Sequence, residues 1–260
     1  MKPYLAATVF LAFATLITIN NSAQTKTQSK TNVTLDALSN PERDLLSEIN
    51  QARANPQLYA SYLEKLKPLF SGKEYTRVGH DPLVTEEGWS AVEDAIKFLK
   101  VTKPLPPLRL SQGLYLAAAA HVKDQSSTGS TGHKGTDSTF IEQRVKPFGT
   151  WDGGIGENIT YGDDSARERI LSWLIDDGFP SRGHRRRLLS SDYNVAGISC
   201  GAHPQWTAMC VLTLAGGFAD VTTAANGNTA VTGNAAAKTT TSAKSKNANV
   251  KTSNVKNRKI

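Results

Sequence analysis

Four side chains able to bind a proton or a metal ion lie at separate points in the middle of the sequence. His133 stands in a run of Ser, Thr and Gly, Glu157 follows the Gly-rich residues 153–156, Asp176 comes near the end of a helical pattern, and His184 follows Gly183. Imidazole and carboxylate are both zinc ligands. The same groups could instead share protons in a metal-free polar cluster, or activate a water for hydrolysis. These three alternatives stay open, because the separations between the four residues match no local metal motif.

Each candidate also has an ordinary structural interpretation. His121 lies on the apolar face of a helical pattern, which favours a core histidine hydrogen-bonded to a neighbour. His133 and His184 could be exposed loop residues, and Glu157 could cap a turn. Asp176 is harder to explain in this way, since an acidic group is unfavourable at the C-terminal end of a helix. Its position therefore indicates some other use for the carboxylate.

The elements that position these side chains are predicted to be helices first and strands last. Helices are expected from Asn40, over residues 86–100, from an N-cap at Ser111, and from a cap at Asp163 or Asp164. Residues 66–85 are expected to be irregular, and two Gly-rich turns are expected to present Glu157 and His184. The hydrophobic period changes to 2 in residues 195–200 and 207–214, which predicts an antiparallel hairpin. The fold class is therefore α+β.

The chain divides by composition into four segments. Residues 1–23 have a lysine near the start, an apolar run and a small-residue exit, which is typical of a secretory signal peptide. Residues 24–38 are expected to be a disordered linker, residues 39–220 one folded domain, and residues 221–260 a disordered Lys-rich tail. No later segment has the apolar length of a membrane span.

The formal net charge of +7 is concentrated in the C-terminal tail. No acidic residue follows Asp220, and the basic residues beyond it account for the whole excess, so the folded part is close to neutral. Nucleic acid is therefore not an expected partner of this exported chain. The tail would either hold the protein loosely against polyanionic surfaces or serve as a spacer with no partner.

The chain has two cysteines, Cys200 and Cys210, one in each strand of the predicted hairpin. Export to an oxidising compartment and a single possible pairing predict a disulfide between them. Two free, buried thiols are the alternative.

Several short motifs, in this order, resemble the CAP superfamily of cysteine-rich secretory, antigen-5 and pathogenesis-related-1 proteins, in its bacterial exported branch. The resemblance covers roughly residues 40–218. Its motifs are Ile49-Asn-Gln-Ala-Arg53, Gly132-His133-Lys-Gly, Gly156-Glu157-Asn158-Ile159, Trp173-Leu-Ile-Asp176 and Gly183-His184-Arg.

The resemblance implies a three-layer α-β-α sandwich of CAP/SCP type with a small antiparallel sheet. It also implies that His133, Glu157, Asp176 and His184 converge in one open cleft that binds a divalent ion such as zinc, weakly. Two positions depart from the family pattern. Asp176 stands where the family more often has Glu, and Arg187 stands where this branch often has Asn.

The resulting functional prediction is a secreted, non-enzymatic binding module, extracellular or periplasmic, whose ligand is a metal and, in addition, a lipid, a polysaccharide or a cell-wall polymer. The alternative is a hydrolase, protease-like, that uses the same cleft, with Ser181 among the candidate nucleophiles. The arginines at 182 and 185–187 could contact an anionic head group or sugar. They could equally form a solvated rim that pairs with Asp176, Asp177 and Asp192.

Overall fold

The computed structural model describes residues 34–77, 79 and 81–221. Seven α-helices occur in this part of the chain, with two short 3-10 turns at Leu35–Ala37 and Lys67–Leu69. The helices are α1 Asn40–Ala54, α2 Pro56–Glu64, α3 Trp89–Val101, α4 Gln112–Thr128, α5 Ile141–Arg144, α6 Ala166–Ile175 and α7 Gly183–Leu188.

The helix starts show which capping signals the chain uses. Ser111 caps α4, as predicted, by accepting a hydrogen bond from the backbone N–H of Leu114. Helix α6 is capped by Ser165, so the prediction of Asp163 or Asp164 as its cap is wrong by one or two residues. Ser165 forms a reciprocal pair with Glu168, which satisfies two free N–H groups at once.

The described residues form two β-sheets, a small antiparallel sheet and a larger mixed sheet. Residues 66–85, expected to be irregular, contain a small sheet of two-residue strands: β1 Phe70–Ser71, β2 Glu74–Tyr75 and β3 Leu83–Val84. The main sheet has the order β4-β6-β7-β5, and only β4 runs parallel to its neighbour. Its strands are β4 Arg109–Leu110, β5 Gly149–Tyr161, β6 Val195–His203 and β7 Thr207–Asp220.

Strand β5 corrects the prediction that a Gly-rich turn presents Glu157. Residues 149–161 pair with β7 along their whole length, with one register shift between Asp152 and Ile155. Glycines are unfavourable in strands, which is why the pattern indicated a turn. The bulge accommodates them, and the regular pairing resumes before Glu157, which lies opposite Thr213.

The two faces of the main sheet bury different helices, which confirms the three-layer α-β-α sandwich. Ile198, Leu212 and Leu214 pack in one core with α1, α2, α3 and α6. Side chains alternate along a strand, so Val211 and Ala215 face the other way and pack with α4. Helix α4 approaches this face closely, because a Cβ on Gly197 would lie 2.0 Å from the backbone of Leu114.

The predicted disulfide between Cys200 and Cys210 is confirmed. The two residues are directly paired on β6 and β7, and their sulfurs are bonded. The backbone N–H of Cys200 also donates to Glu42 Oε1 (3.0 Å), while Glu42 Oε2 accepts from the N–H of Ser39 at the start of α1 (2.8 Å). The disulfide is thus joined through Glu42 to the first helix.

The ends of the predicted segments fall partly outside the described residues. Leu38 is buried in the main core, so the ordered domain includes the last residues of the expected linker. The expected signal peptide and Lys-rich tail lie outside the described residues. Among the helices that the structure describes, none has both the length and the apolar character needed to cross a bilayer.

Candidate functional site

His133 and Glu157 form the first of two histidine–carboxylate pairs. His133 Nδ1 lies 2.9 Å from Glu157 Oε1, and Arg144 donates to Glu157 Oε2. Arg144 also donates to the backbone carbonyl of His133 (2.9 Å), so the three residues are joined in a closed ring of hydrogen bonds. The Glu157 carboxylate is buried, whereas 43% of the His133 side chain is exposed. We call His133, Arg144 and Glu157 the Glu157 half-site.

The loop that carries His133 is fixed at Gly132. The Gly132 N–H donates to the Tyr161 hydroxyl at the end of β5 (2.8 Å). Its carbonyl lies 2.9 Å from His121 Nε2 and accepts from Gln125 Nε2 (2.6 Å), both on α4. His121 is fully buried, so the prediction of a hydrogen-bonded core histidine is confirmed. Burial also lowers the pKa of His121, which favours its neutral form.

Opposing effects act on the ionisation of Glu157. Burial alone raises the pKa of a carboxyl group. Here the hydrogen bond with His133 and the positive charge of Arg144 outweigh it, and the pKa of Glu157 lies below its usual value. The carboxylate is therefore ionised at neutral pH, and His133 donates to it through Nδ1.

Asp176 and His184 form the second pair, built on backbone donors. Asp176 ends α6 in the left-handed region (φ 56°), a conformation that Asp tolerates. Its Oδ1 lies 2.7 Å from His184 Nδ1, and its Oδ2 accepts from the backbone N–H groups of His184 (2.8 Å) and Arg185 (3.3 Å). The carboxylate thus caps the start of α7, which explains an acid at the end of α6. We call Asp176, His184 and Arg185 the Asp176 half-site.

Asn158 connects the two half-sites through strand β5. Glu157 and Asn158 are consecutive residues, so their side chains point to opposite faces of the sheet. Asn158 Nδ2 donates to the carbonyl of His184 (3.2 Å), and its Oδ1 accepts from Arg187 Nη1 (3.2 Å). Because β5 is an edge strand, both half-sites border the same edge of the sheet.

The structure therefore joins the four predicted residues as two pairs. Among the residues that the structure describes, no group of three or more His, Cys, Asp or Glu side chains is placed to hold a metal ion. Joint binding of one ion by His133, Glu157, Asp176 and His184 stays a prediction.

The arginines of residues 182–187 have different partners from those expected. Arg182 pairs with Glu87 (2.6 Å) and Asp94 (3.2 Å), and the buried Arg185 pairs with Asp94 (2.9 Å). These acids belong to α3 and the loop before it, so for Arg182 and Arg185 the alternative of side-chain pairing with Asp176, Asp177 and Asp192 is wrong. Asp177 instead accepts from the backbone N–H groups of Glu86 and Glu87 (2.6 and 2.8 Å). Arg182 and Arg185 thus connect the start of α7 to α3 and the loop before it through ion pairs.

Sequence reasoning missed Arg144 as a member of the site. It lies in α5, eleven residues after His133, where no motif singles it out. The only signal was the requirement that a buried Glu157 have a cationic partner. Asn158 was quoted as part of a motif, but its role in connecting α7 to β5 was not predicted.

The fold is an α-β-α domain with two histidine–carboxylate pairs at one edge of its main sheet. Residues 46–214 match the family model of the CAP, or cysteine-rich secretory protein, family. The chain belongs to this family. Among curated proteins, no sequence matches significantly.

Three solved bacterial structures resemble parts of the chain. One is an extracellular protein containing an SCP domain from Bacillus anthracis, with 21% identity, a TM-score of 0.35, and coverage of 43% of this chain and 34% of that one. An outer surface protein of Borrelia burgdorferi has 17% identity, a TM-score of 0.34, and coverage of 42% and 76%. A cysteine-rich secretory protein of Staphylococcus aureus has 21% identity, a TM-score of 0.31, and coverage of 48% and 37%. The chain thus spans little more than a third of the length of the first and third.

Proposed function

We propose that the protein is an exported binding module whose cleft holds a divalent ion through His133 and His184. One observation carries this proposal: each imidazole has its Nδ1 held by a carboxylate, Glu157 Oε1 or Asp176 Oδ1. This arrangement fixes the ring and leaves Nε2 as the basic nitrogen, as in histidines that bind metals. Zinc fits this donor set.

The carboxylates orient the histidines rather than serve as the main ligands. Both oxygens of Glu157 are engaged, one by His133 and one by Arg144. Both oxygens of Asp176 are engaged by His184 and the backbone of α7. Two imidazoles with no thiolate and no free carboxylate make a weak site, in which solvent would supply the remaining ligands. When bound, the ion would polarise an oxygen atom of a ligand.

Binding is favoured over hydrolysis because neither imidazole is paired with a nucleophile. In the described part of the chain, His133 and His184 hydrogen-bond to acids, and no Ser, Thr or Cys side chain bonds to either ring. A covalent mechanism needs the nucleophile within reach of its base. The second candidate function, hydrolysis by an activated water, is retained as the alternative.

Location outside the cytoplasm rests on two features of the chain. Residues 1–23 have the signal-peptide pattern. The disulfide between Cys200 and Cys210 is stable in oxidising compartments such as the periplasm or the exterior. A second ligand, a lipid, a polysaccharide or a cell-wall polymer, would then be met in the envelope or beyond it.

Calorimetric titration with zinc tests the proposal. The wild-type chain should bind at about pH 7.5 and more weakly at about pH 5.5, because imidazole binds a metal only in its neutral form. His133→Ala and His184→Ala should abolish binding, and Asp176→Asn should weaken it roughly 10- to 100-fold by releasing the ring of His184.

Lys134→Ala is the matched control, since Lys134 is the exposed neighbour of His133 and should bind zinc as the wild type does. Equal heats from the wild type and both histidine variants would show that no zinc binds at the two imidazoles. Zinc-dependent cleavage of an ester or peptide probe that is lost in His184→Ala would favour the hydrolase instead.

A further inference from the structure

Arg53 ends the first of the family motifs and is buried in the last turn of α1, with 1% of its surface exposed. Its Nε donates to the backbone carbonyl of Pro106 (3.1 Å). Its other three hydrogen bonds go to the end of α7 and the segment after it, at the carbonyls of Leu188, Ser190 and Tyr193 (3.0 Å each). The zinc site proposed above does not use this side chain.

The four hydrogen bonds of Arg53 replace water around a buried positive charge. Burial lowers the pKa of Arg53, yet an arginine stays charged in a protein. A guanidinium has five N–H donors fixed in one plane, so it can satisfy several carbonyls at once. An apolar side chain would avoid the cost of a buried charge, but it would leave these buried carbonyls unpaired. The carbonyls and the guanidinium therefore depend on one another for their geometry.

Helix α7 depends on contacts outside itself, because a helix of six residues is not stable alone. Asp176 holds its start by accepting from the backbone N–H groups of His184 and Arg185. Arg53 holds its last residue, Leu188. Leu188 lies one turn after His184, so a displacement at the end of the helix is transmitted to His184.

Arg53 also fixes how the segment after α7 meets strand β5. It binds the carbonyl of Tyr193, and the side chain of Tyr193 lies against the edge strand. A Cβ on Gly156 would lie 2.9 Å from the Tyr193 hydroxyl, so glycine leaves room for this contact. Asn158, two residues further along β5, donates to the carbonyl of His184. The helix that carries His184 and the strand beside it are thus held in register.

We propose that Arg53 is a positioning residue for His184. Its guanidinium holds the end of α7 and the segment after it, and so places the helix that presents the imidazole to the divalent ion. Arg53 acts through backbone carbonyls and makes no hydrogen bond to His184 itself. The importance of this role rests on the proposed function, whereas the positioning of the ring requires no metal ion.

Two matched lysine variants test the proposal. Arg53→Lys keeps the charge but replaces the planar fork with one ammonium group. Arg169→Lys is the control, because Arg169 is also a buried arginine that binds backbone carbonyls, those of Asp164 and Gly162. Neither of these carbonyls belongs to α7 or to the segment after it. Both variants and the wild type are studied as the full chain by NMR, with a chelator present.

The signals of His184 should change in Arg53→Lys alone. The Nδ1–H signal of His184, which reports the hydrogen bond to Asp176, should shift or broaden. Hydrogen exchange at the amides of His184 and Arg185 should accelerate at least about tenfold more than the loss of global stability accounts for. Zinc affinity, measured without chelator, should fall about tenfold, as for other groups that orient a metal-binding histidine. Arg169→Lys should lose global stability but keep the wild-type signals and zinc affinity.

Unchanged His184 signals in Arg53→Lys, or equal changes in both lysine variants, would overturn the positioning role. If Arg53→Lys does not fold, hydrogen exchange of the wild type decides. The amides of Arg186 and Leu189, bonded within and just after α7, should then open together with those of α1. Their opening at a much lower free energy than α1 would contradict the proposal. The NMR results are obtained without zinc, so they stand even if the zinc titration fails.

Discussion

The two half-sites hold the same pair of groups, an imidazole and a buried carboxylate, by different means. In the Glu157 half-site a second charge, the buried Arg144, occupies the other carboxylate oxygen. In the Asp176 half-site that oxygen is occupied by neutral backbone N–H groups at the start of α7. The histidine of the first is carried by a loop and is 43% exposed, whereas that of the second is carried by a helix and is 18% exposed.

The difference shows where each half-site is vulnerable. A carboxylate bound to backbone N–H groups can lose its charge and leave only neutral donors unsatisfied. A carboxylate bound to a buried arginine cannot, because its loss leaves an uncompensated charge in the interior. Two pairs with the same chemistry towards a ligand should therefore respond very differently to mutation.

The largest expected effect is the difference in stability between two variants, Glu157→Gln and Asp176→Asn, in which each acid is replaced by its neutral amide. Glu157→Gln leaves Arg144 buried and unpaired, and should lower the free energy of unfolding by about 3–5 kcal/mol. Asp176→Asn keeps an acceptor for the backbone of α7, and should cost only about 1–3 kcal/mol. Urea denaturation of both variants measures the difference.

The double variant Glu157→Gln, Arg144→Met separates charge from shape in this result. Removal of the arginine should recover part of the stability lost in Glu157→Gln, since no buried charge then remains. If Asp176→Asn proves as costly as Glu157→Gln, or the double variant is the least stable of all, the contrast between the half-sites is wrong.

Acid should act on the Glu157 half-site through the depressed pKa of Glu157. Since this pKa lies below its usual value in the folded protein, the ionised carboxylate contributes stability at neutral pH. That contribution is lost as the pH falls from the unfolded-state pKa, about 4.3, through the folded-state pKa. The difference in free energy of unfolding between wild type and Glu157→Gln should therefore shrink between about pH 6 and about pH 3.

Other carboxylates with lowered pKa values, such as Glu87 and Asp94, are present in both the wild type and Glu157→Gln. Their contributions therefore cancel in the difference between the two free energies of unfolding. A difference that stays constant over this range would show that the charge of Glu157 does not carry the stability of the half-site.

The sequence predicted those elements whose signals are local. The helix from Ser111, the hairpin of β6 and β7, and the disulfide between Cys200 and Cys210 follow from capping, alternation and a single possible pairing. Strand β5 was missed because its glycines oppose strand formation, and only pairing with β7 makes it a strand. The three two-residue strands of residues 70–84 are too short for any alternation to show.

The site was predictable as a set of residues but not as a set of contacts. The two acids and two histidines were identified from family motifs. Their division into two pairs depends on where β5 and α7 meet. Arg144 and the partners of Arg182 and Arg185 depend on contacts between residues distant in the sequence. No local pattern encodes such contacts, because charge pairing across elements is fixed only once the layers have packed.

The smallest expected effect concerns the hydroxyl of Thr213, which lies opposite Glu157 on β7. Its Oγ1 is buried and has no hydrogen-bond partner among the described residues, so Thr213→Val removes no protein contact. This change should raise the free energy of unfolding by about 1 kcal/mol or less. Thr160→Val is the matched comparison on β5, because Thr160 Oγ1 accepts from the buried Arg169 (3.3 Å), and its loss should cost about 1–2 kcal/mol. A clear loss of stability in Thr213→Val would mean that Oγ1 is hydrogen-bonded in solution, which would contradict this prediction.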